Sequence, residues 1–289
     1  MTKRTAPSDV NCLVVISDSH CGCKLGLCPA DQEIQLDDGG TYKASPVQGY
    51  IWHHWRKFWD EFVPAETKGE PYAVVHNGDA VDGVPHKATT PISHNLQDQE
   101  NIAAACLEPI VELCQGRYYQ VRGTEAHVAK SGASEESLAR RLGAVKNREG
   151  QSATWELWKR VGPCIAHFSH HIGTTQSAHH ESAAVNAEIS KMLVDAARFQ
   201  QQIPDIAVRS HRHQYTEVIL PAHRQEWGPG ANQHRIRSIV TPAWQAKTPF
   251  AYKVARGRPP QFGGVVIRWS GKELYTVAYV ATFTNVEIR

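Results

Sequence analysis

Two residues in "CLVVISDSHCG", Asp18 and His20, stand two apart directly after an apolar run, so in an extended chain they point the same way. The same design recurs along the chain. Asp79 follows the apolar run of "PYAVVHNGDAVDG", and His127 ends "RYYQVRGTEAH". His167, His170 and His171 crowd "HFSHH", and His211 and His213 close "SHRH". A single histidine at a strand exit is most often a hydrogen-bonded core residue. Five such exits are a pattern, because the carboxyl edge of an open α/β sheet is where ligands bind. Carboxylates and imidazoles without thiolates suit a hard to borderline divalent ion such as manganese, iron or zinc. Asp18 and Asp79 on neighbouring strands, flanked by histidines, suffice for two ions sharing one carboxylate. Such a pair clamps a phosphoryl group while a metal-bound hydroxide attacks in line.

The elements that must position these residues follow from the hydrophobic pattern. Leu13–Ser17 and Tyr72–His76 are short apolar runs that predict buried strands. Further strands are expected in "RYYQV", "GPCIAHF" and "PDIAVRS", and consecutive ones in "SIVTPAWQ", "GGVVIRWS" and "LYTVAYVATF". In "VQGYIWHHWRKFWDEFV", Ile51, Trp55, Phe58, Trp59 and Phe62 recur at helical spacing, which makes His53 and His54 ordinary helix histidines. Helices are also expected in "NLQDQENIAAACLEPIVELCQG", closed by Gly116, in "SEESLARRLGAV", and in "ESAAVNAEISKMLVDAARFQQ". Strands alternating with helices, then strands alone, predict an α/β sandwich. No repeat or linker divides the chain, so one domain over 1–289 is the simplest partition.

Composition excludes some classes of partner. A formal net charge of +2 on 289 residues gives no bulk electrostatic demand for nucleic acid or membrane. The start "MTKRTAPSDVN" lacks the apolar core of a signal peptide, and no stretch approaches a membrane span. A soluble cytoplasmic protein with no membrane partner is the expectation. The seven cysteines, an odd count scattered through apolar segments, fit reduced thiols. Cys21, Cys23 and Cys28 lack the second pair that a zinc ribbon needs.

In order, "DSH", "GDAVD", "RGTEAH", "HH" and "HRH" resemble the five motifs of the calcineurin-like metallophosphoesterases, over about residues 12–215. The resemblance implies a four-layer αββα sandwich of two mixed sheets flanked by helices, with strands of 236–289 completing the second sheet. It implies two divalent ions, manganese foremost, with iron, zinc or nickel as substitutes. Asp18, His20 and His213 would hold the first ion, Asp79 would bridge, and His170 and His211 would complete the second. His127 is the expected proton donor to the leaving group. The chain departs from the pattern where G-N-H is expected: "GTEAH" lacks the Asn, so Thr124, Glu125 or water must take its place. Ser210 stands where Gly is usual. Gly83 follows Asp82 where phosphoprotein phosphatases carry Arg, although Arg122 matches their second Arg, so half of that phosphate clamp is absent. The "GTxAH" turn and His-rich fourth strand are also similar to metallophosphoesterases of bacteriophages, which would place the protein in a host cytoplasm.

The resemblance implies hydrolysis of a phosphomonoester or phosphodiester, on a phosphorylated small molecule or a nucleic acid. For nucleic acid, "KTPFAYKVARGRPPQ" interleaves Lys247, Lys253, Arg256 and Arg258 with Phe250 and Tyr252, although a solvated basic loop is the plainer reading of that stretch. "HRQEWGPGANQHRIR" is a candidate hairpin over the site mouth. The rival from another class is a non-catalytic metal-binding interaction module. Against it stand Asp18, His20, Asp79, His211 and His213, since buried charges without a metal to neutralise them would be costly. A redox di-iron enzyme is a more distant alternative.

Overall fold

The computed structural model describes residues 10–85, 88–128, 132–173, 181–221, 235–254 and 258–283. Its first sheet has the order β13 (Leu274–Thr282), β12 (Gln261–Trp269), β1 (Cys12–Ile16), β4 (Ala73–Asn77), β5 (Tyr118–Val121), β6 (Ala153–Thr154). The second has the order β10 (Thr216–Pro221), β11 (Arg235–Val240), β9 (Ile206–Arg209), β8 (Cys164–Phe168), β7 (Leu157–Val161). A separate two-stranded ribbon joins β2 (Ile34–Gln35) to β3 (Thr41–Tyr42). Both sheets are mixed. β1, β4, β5 and β6 run parallel, as do β8, β9 and β11, while β12, β13, β7 and β10 are antiparallel to their neighbours.

Side chains alternate across each strand and so divide between two cores. In β1, Leu13 and Val15 face the second sheet and pack with Val75, Val121, Ala166, Phe168, Ile206 and Val208. Cys12, Val14 and Ile16 face outward, against helices α1 (Pro46–Lys57), α3 (Leu96–Leu113) and α5 (Ala133–Arg141), meeting Ile51, Trp55, Ile102, Leu107 and Leu138. A central strand covered on both faces must be apolar throughout, and β1 is fully buried. On the far face of the second sheet lies α6 (Glu181–Phe199), where Val185 packs with Ile172 and Val240. Helix, sheet, sheet, helix is the four-layer arrangement expected.

The placement of the C-terminal strands corrects one expectation. Of the segment 236–289, only β11 joins the second sheet; β12 and β13 extend the first, with β12 antiparallel to β1. The reason is burial. Phe262 and Val266 enter the helix-facing core while Val265 and Ile267 enter the core between the sheets, so β12 supplies both and covers an otherwise open edge of β1. Gly264 permits this approach: a Cβ there would lie 2.7 Å from Phe58 Cζ and 2.7 Å from Val15 O. β7 and β10 are strands that the apolar-run reading does not anticipate. Both are antiparallel and only partly buried, so their alternation is half polar.

The aromatic helix is longer than one regular α-helix. A wider π turn over Phe58–Phe62 links α1 to α2 (Val63–Thr67). Ser45 and Gln48 cap its start reciprocally. Trp55 and Phe58 pack on Trp244 at ring separations of 4.9 and 5.7 Å, and the Trp244 backbone N–H donates to Asp18 O at 2.9 Å. The aromatic core therefore anchors the first metal-ligand candidate. Short helices α4 (Glu125–Val128) and α7 (Pro249–Val254) lie at loop positions. Residues 223–234 of the candidate hairpin lie outside the described residues.

Candidate metal centre

The exits of β1, β4, β5, β8 and β9 meet at one edge and bring the candidate residues together. Asp18, His20 and His213 form one group of donors within 4.8 Å of one another, and Asp79, His170 and His211 form a second. In the first, Asp18 Oδ1 is 3.1 Å from His213 Nε2, His20 Nε2 is 3.2 Å from His213 Nε2, and His20 Nε2 is 3.9 Å from Asp18 Oδ1. Donors bound about 2.1 Å from one ion on adjacent vertices stand roughly 3.0–3.4 Å apart, so two of the three separations are those of a coordination shell. In the second, Asp79 Oδ2 is 3.0 Å from His170 Nε2. His170 Nε2 is also 3.9 Å from Asp18 Oδ1, which makes the two groups neighbours.

Backbone conformation singles out the same residues. Asp18, His20, Asp79, His211 and His213 all have φ between +42° and +70°. Each such residue costs about 1 kcal/mol or more relative to the right-handed region. Among the described residues, the three other non-glycine positions with positive φ, Lys68, Gln115 and Gln200, lie just past the ends of helices, where that conformation is common. Five strained residues, three after strands of the first sheet and two after a strand of the second, gather where the candidate ligands lie.

Hydrogen bonds fix which nitrogen of each ring faces the cluster. His20 Nδ1 donates to Asp82 Oδ1 (3.1 Å) and His170 Nδ1 donates to Asn77 O (2.7 Å), leaving both Nε2 atoms aimed inward. Such outer partners are what orient metal-binding histidines. Asp18 Oδ1 is fully buried with the ring nitrogens of His213, His20 and His170 beside it, a costly place for a carboxylate charge that a cation would relieve. The donor set therefore fits divalent ions. In a third grouping, His20, Asp82 and His127, Asp82 Oδ1 accepts from His20 and from Gln245 Nε2 (3.2 Å), while Asp82 Oδ2 is buried without a hydrogen bond.

The electrostatics agree with that reading. Burial would raise the carboxyls of Asp18 and Asp79, but His213 and His170 hold Asp18, and His170 and His127 hold Asp79, below the ordinary carboxylate range. Burial works against the His170 proton, yet Asp79 and Asp18 push its pKa up to about 10. Burial and neighbouring His170 lower His211 to about 4. A divalent ion would replace the His170 proton as the charge that balances two buried carboxylates.

His127 lies on α4, 20% exposed, with its ring edge-on to His20 at 4.5 Å. Its Nδ1 donates to Asp82 O at 2.6 Å, which leaves Nε2 free. His167 is drawn away from the site, to Arg209 and Glu156. His171 is exposed and stacks beside His211 at 4.7 Å. Arg122 pairs with Glu136 at 3.3 Å and lies over Trp155, so it braces the loop rather than reaching the donors. The seven cysteines are free and buried.

Several supporting residues carry little signal in the sequence. Glu135 on α5 is completely buried and accepts from Ala80 N–H (2.9 Å) and Gly123 N–H (2.6 Å), stitching together the loops that carry Asp79 and Thr124. Ser17, Ser210 and Thr241 share hydroxyl hydrogen bonds of 2.7 Å beneath the site, and Asn77 Nδ2 donates to Ser210 Oγ. "SEESL" reads as a solvated helix face, so nothing in it distinguishes Glu135. Asp82, three residues after Asp79, is the one with a positional clue.

No family model and no curated protein matches this chain. Solved structures similar in outline include a conserved uncharacterized protein of Streptococcus pneumoniae, described as a predicted phosphoesterase, at 13% identity and TM-score 0.34, covering 94% of this chain and 98% of that one. A metallophosphoesterase from Sphaerobacter thermophilus aligns at 11% identity and TM-score 0.39, covering 96% of this chain and 89% of that one. Vacuolar protein sorting 29 from Cryptosporidium parvum aligns at 10% identity and TM-score 0.37, covering 95% and 100%. Likenesses of this degree carry no weight in assigning an activity, which rests on the site itself. No helix among the described residues is long and apolar enough to cross a membrane.

Proposed function

We propose that the protein is a metal-dependent phosphoesterase of the calcineurin-like kind, of the bacteriophage type and acting in the cytoplasm. The observation that carries this is the position of His170, whose Nε2 lies 3.0 Å from Asp79 and 3.9 Å from Asp18, so that two donor groups adjoin around two buried carboxylates. Asp18, His20 and His213 would hold one divalent ion; Asp79, His170 and His211 would hold the other, with Asp79 shared. Two such ions, manganese first among them, would polarise the phosphoryl oxygens and supply the activated water for in-line displacement. Asp82 orients two histidines at once, His20 through its carboxylate and His127 through its carbonyl. His127, protonated, would deliver a proton from Nε2 to the departing oxygen.

A diester substrate on nucleic acid is favoured by one feature of the surface. The segment after Trp244 is tied to the site through Gln245 and Asp82, and it leads to Tyr252, 67% exposed with Lys247 over its ring at 5.4 Å. An exposed aromatic beside a cation suits stacking of a base next to a phosphate. Arg258 is engaged with Glu181, Arg256 lies outside the described residues, and the side chains of Phe250 and Lys253 do as well.

The test is initial rate on p-nitrophenyl phosphate and bis-p-nitrophenyl phosphate with manganese added, comparing wild type with Asp79→Asn. Hydrolysis abolished by chelator and by the substitution is the expected result, and the faster substrate chooses monoester or diester. Metal-loaded wild type that hydrolyses neither these compounds nor single-stranded DNA would overturn the proposal in favour of a non-catalytic module.

A further inference from the structure

The second donor group has three protein ligands and one side still to close. Thr124 Oγ1 stands there, 2.9 Å from Asp79 Oδ2, 3.3 Å from His211 Nδ1 and 3.4 Å from His170 Nε2. An atom at nearly equal distance from three donors, at separations of about 3.0–3.4 Å, has the relation of a fourth vertex to a shared ion. The backbone places it firmly, since Thr124 N–H donates to Asp79 Oδ1 at 2.8 Å and the preceding Gly123 N–H is held by Glu135. Glu125, the other side chain of the turn with a donor atom, is exposed.

We propose that the Thr124 hydroxyl oxygen is the fourth protein donor to the ion held by Asp79, His170 and His211. This rests on the metal-dependent reading above and adds a ligand that gives the second site its own character. A hydroxyl is a neutral, hard oxygen donor, weaker than a carboxylate and poorly matched to soft ions. The hydroxyl therefore strengthens the second site more for an oxygen-seeking ion such as manganese than for thiophilic metals.

Calorimetric titration of metal-free protein with Mn2+ and Cd2+ tests this, using wild type, Thr124→Ser, Thr124→Val and Thr124→Cys, all checked for folding by circular dichroism. The expected result is two ions on wild type. One of them loses about tenfold or more in affinity in Thr124→Val and stays within a few-fold of wild type in Thr124→Ser. Thr124→Cys should gain Cd2+ affinity at the site that Thr124→Val weakens and show an ultraviolet thiolate-to-cadmium band beyond that of the cadmium-loaded wild type. If Thr124 only orients Asp79, Thr124→Val still weakens binding, but Thr124→Cys gains neither cadmium affinity nor the band; that outcome overturns the proposal. Two ions bound unchanged in Thr124→Val, or a single ion bound alike by all four proteins, also overturns it while leaving the first site standing. No ion bound by wild type defeats the metal-dependent reading itself.

Discussion

Gly123 has no chemistry of its own, yet the site depends on its lack of a side chain. A Cβ at this position would lie 2.0 Å from Asp79 Oδ1 and 2.3 Å from Asp79 N. Ordinary contact begins near 3.4 Å, so in Gly123→Ala the carboxylate oxygen must retreat by about 1.4 Å and the backbone behind it by about 1.1 Å. Neither neighbour is the free end of a flexible side chain. Overpacking of this kind costs about 1–3 kcal/mol of stability, which for a chain of 289 residues is a fall in Tm of roughly 2–5 °C. The effect on function is larger, because a displacement of about 1 Å in a reacting constellation is worth roughly a hundredfold in rate. Gly123→Ala should thus remain folded at 25 °C, bind the second Mn2+ at least tenfold more weakly in a titration, and hydrolyse bis-p-nitrophenyl phosphate about a hundredfold more slowly. Binding and rates within twofold of wild type would refute the reasoning, since the turn could not then lie against Asp79.

Gly49 provides the opposite case: it sits inside α1 with nothing within 4 Å of its added Cβ, so Gly49→Ala should stabilise the fold by about 0.5–1 kcal/mol and leave metal binding unaltered, as thermal melts and titrations will report. Glu135 predicts a pH effect: burial and then Asp79 push its carboxyl up to about 8 from 4.5, so its contribution to stability is fully present below about pH 4.5 and is lost as pH rises through 8. Urea unfolding of the metal-free protein should therefore show a decline between pH 5 and 9, of at most roughly 5 kcal/mol, that is absent from Glu135→Gln; equal slopes in the two proteins would contradict this. His127→Ala should slow hydrolysis of an alkyl phosphate ester by about 10²–10⁴-fold but that of a nitrophenyl ester much less, because the nitrophenolate departs without a proton. Equal losses on both esters would remove the acid role from His127.

Much of this arrangement is legible in the sequence because burial and chemistry share a pattern there. Each apolar run of β1, β4, β8 and β9 is too uniformly hydrophobic to face water, and each ends in Asp or His, so strand and ligand are read from the same few residues. The identities of β7 and β10 are not legible, because edge strands are half exposed and their composition matches that of loops. The sheet that β12 and β13 join is fixed by long-range pairing with β1, which no local window contains. Glu135 illustrates a third limit. Its charge marks it for solvent, and only the folded loops show two backbone N–H groups waiting for a carboxylate. Thr124 is one of three candidates in sequence terms, and the distances to Asp79, His170 and His211 separate it from Glu125.

The proposed function stands on two adjoining ions held where the two sheets meet, with phosphoester hydrolysis requiring both. Its most direct measurement is the number of Mn2+ ions bound per chain, read beside the initial rate as a chelated sample is refilled. The account predicts two ions on wild type, a rate that appears only as the second site fills, and at most one ion with no measurable rate in Asp79→Asn. Full activity with one ion or none, or two ions retained in Asp79→Asn with an undiminished rate, would contradict it.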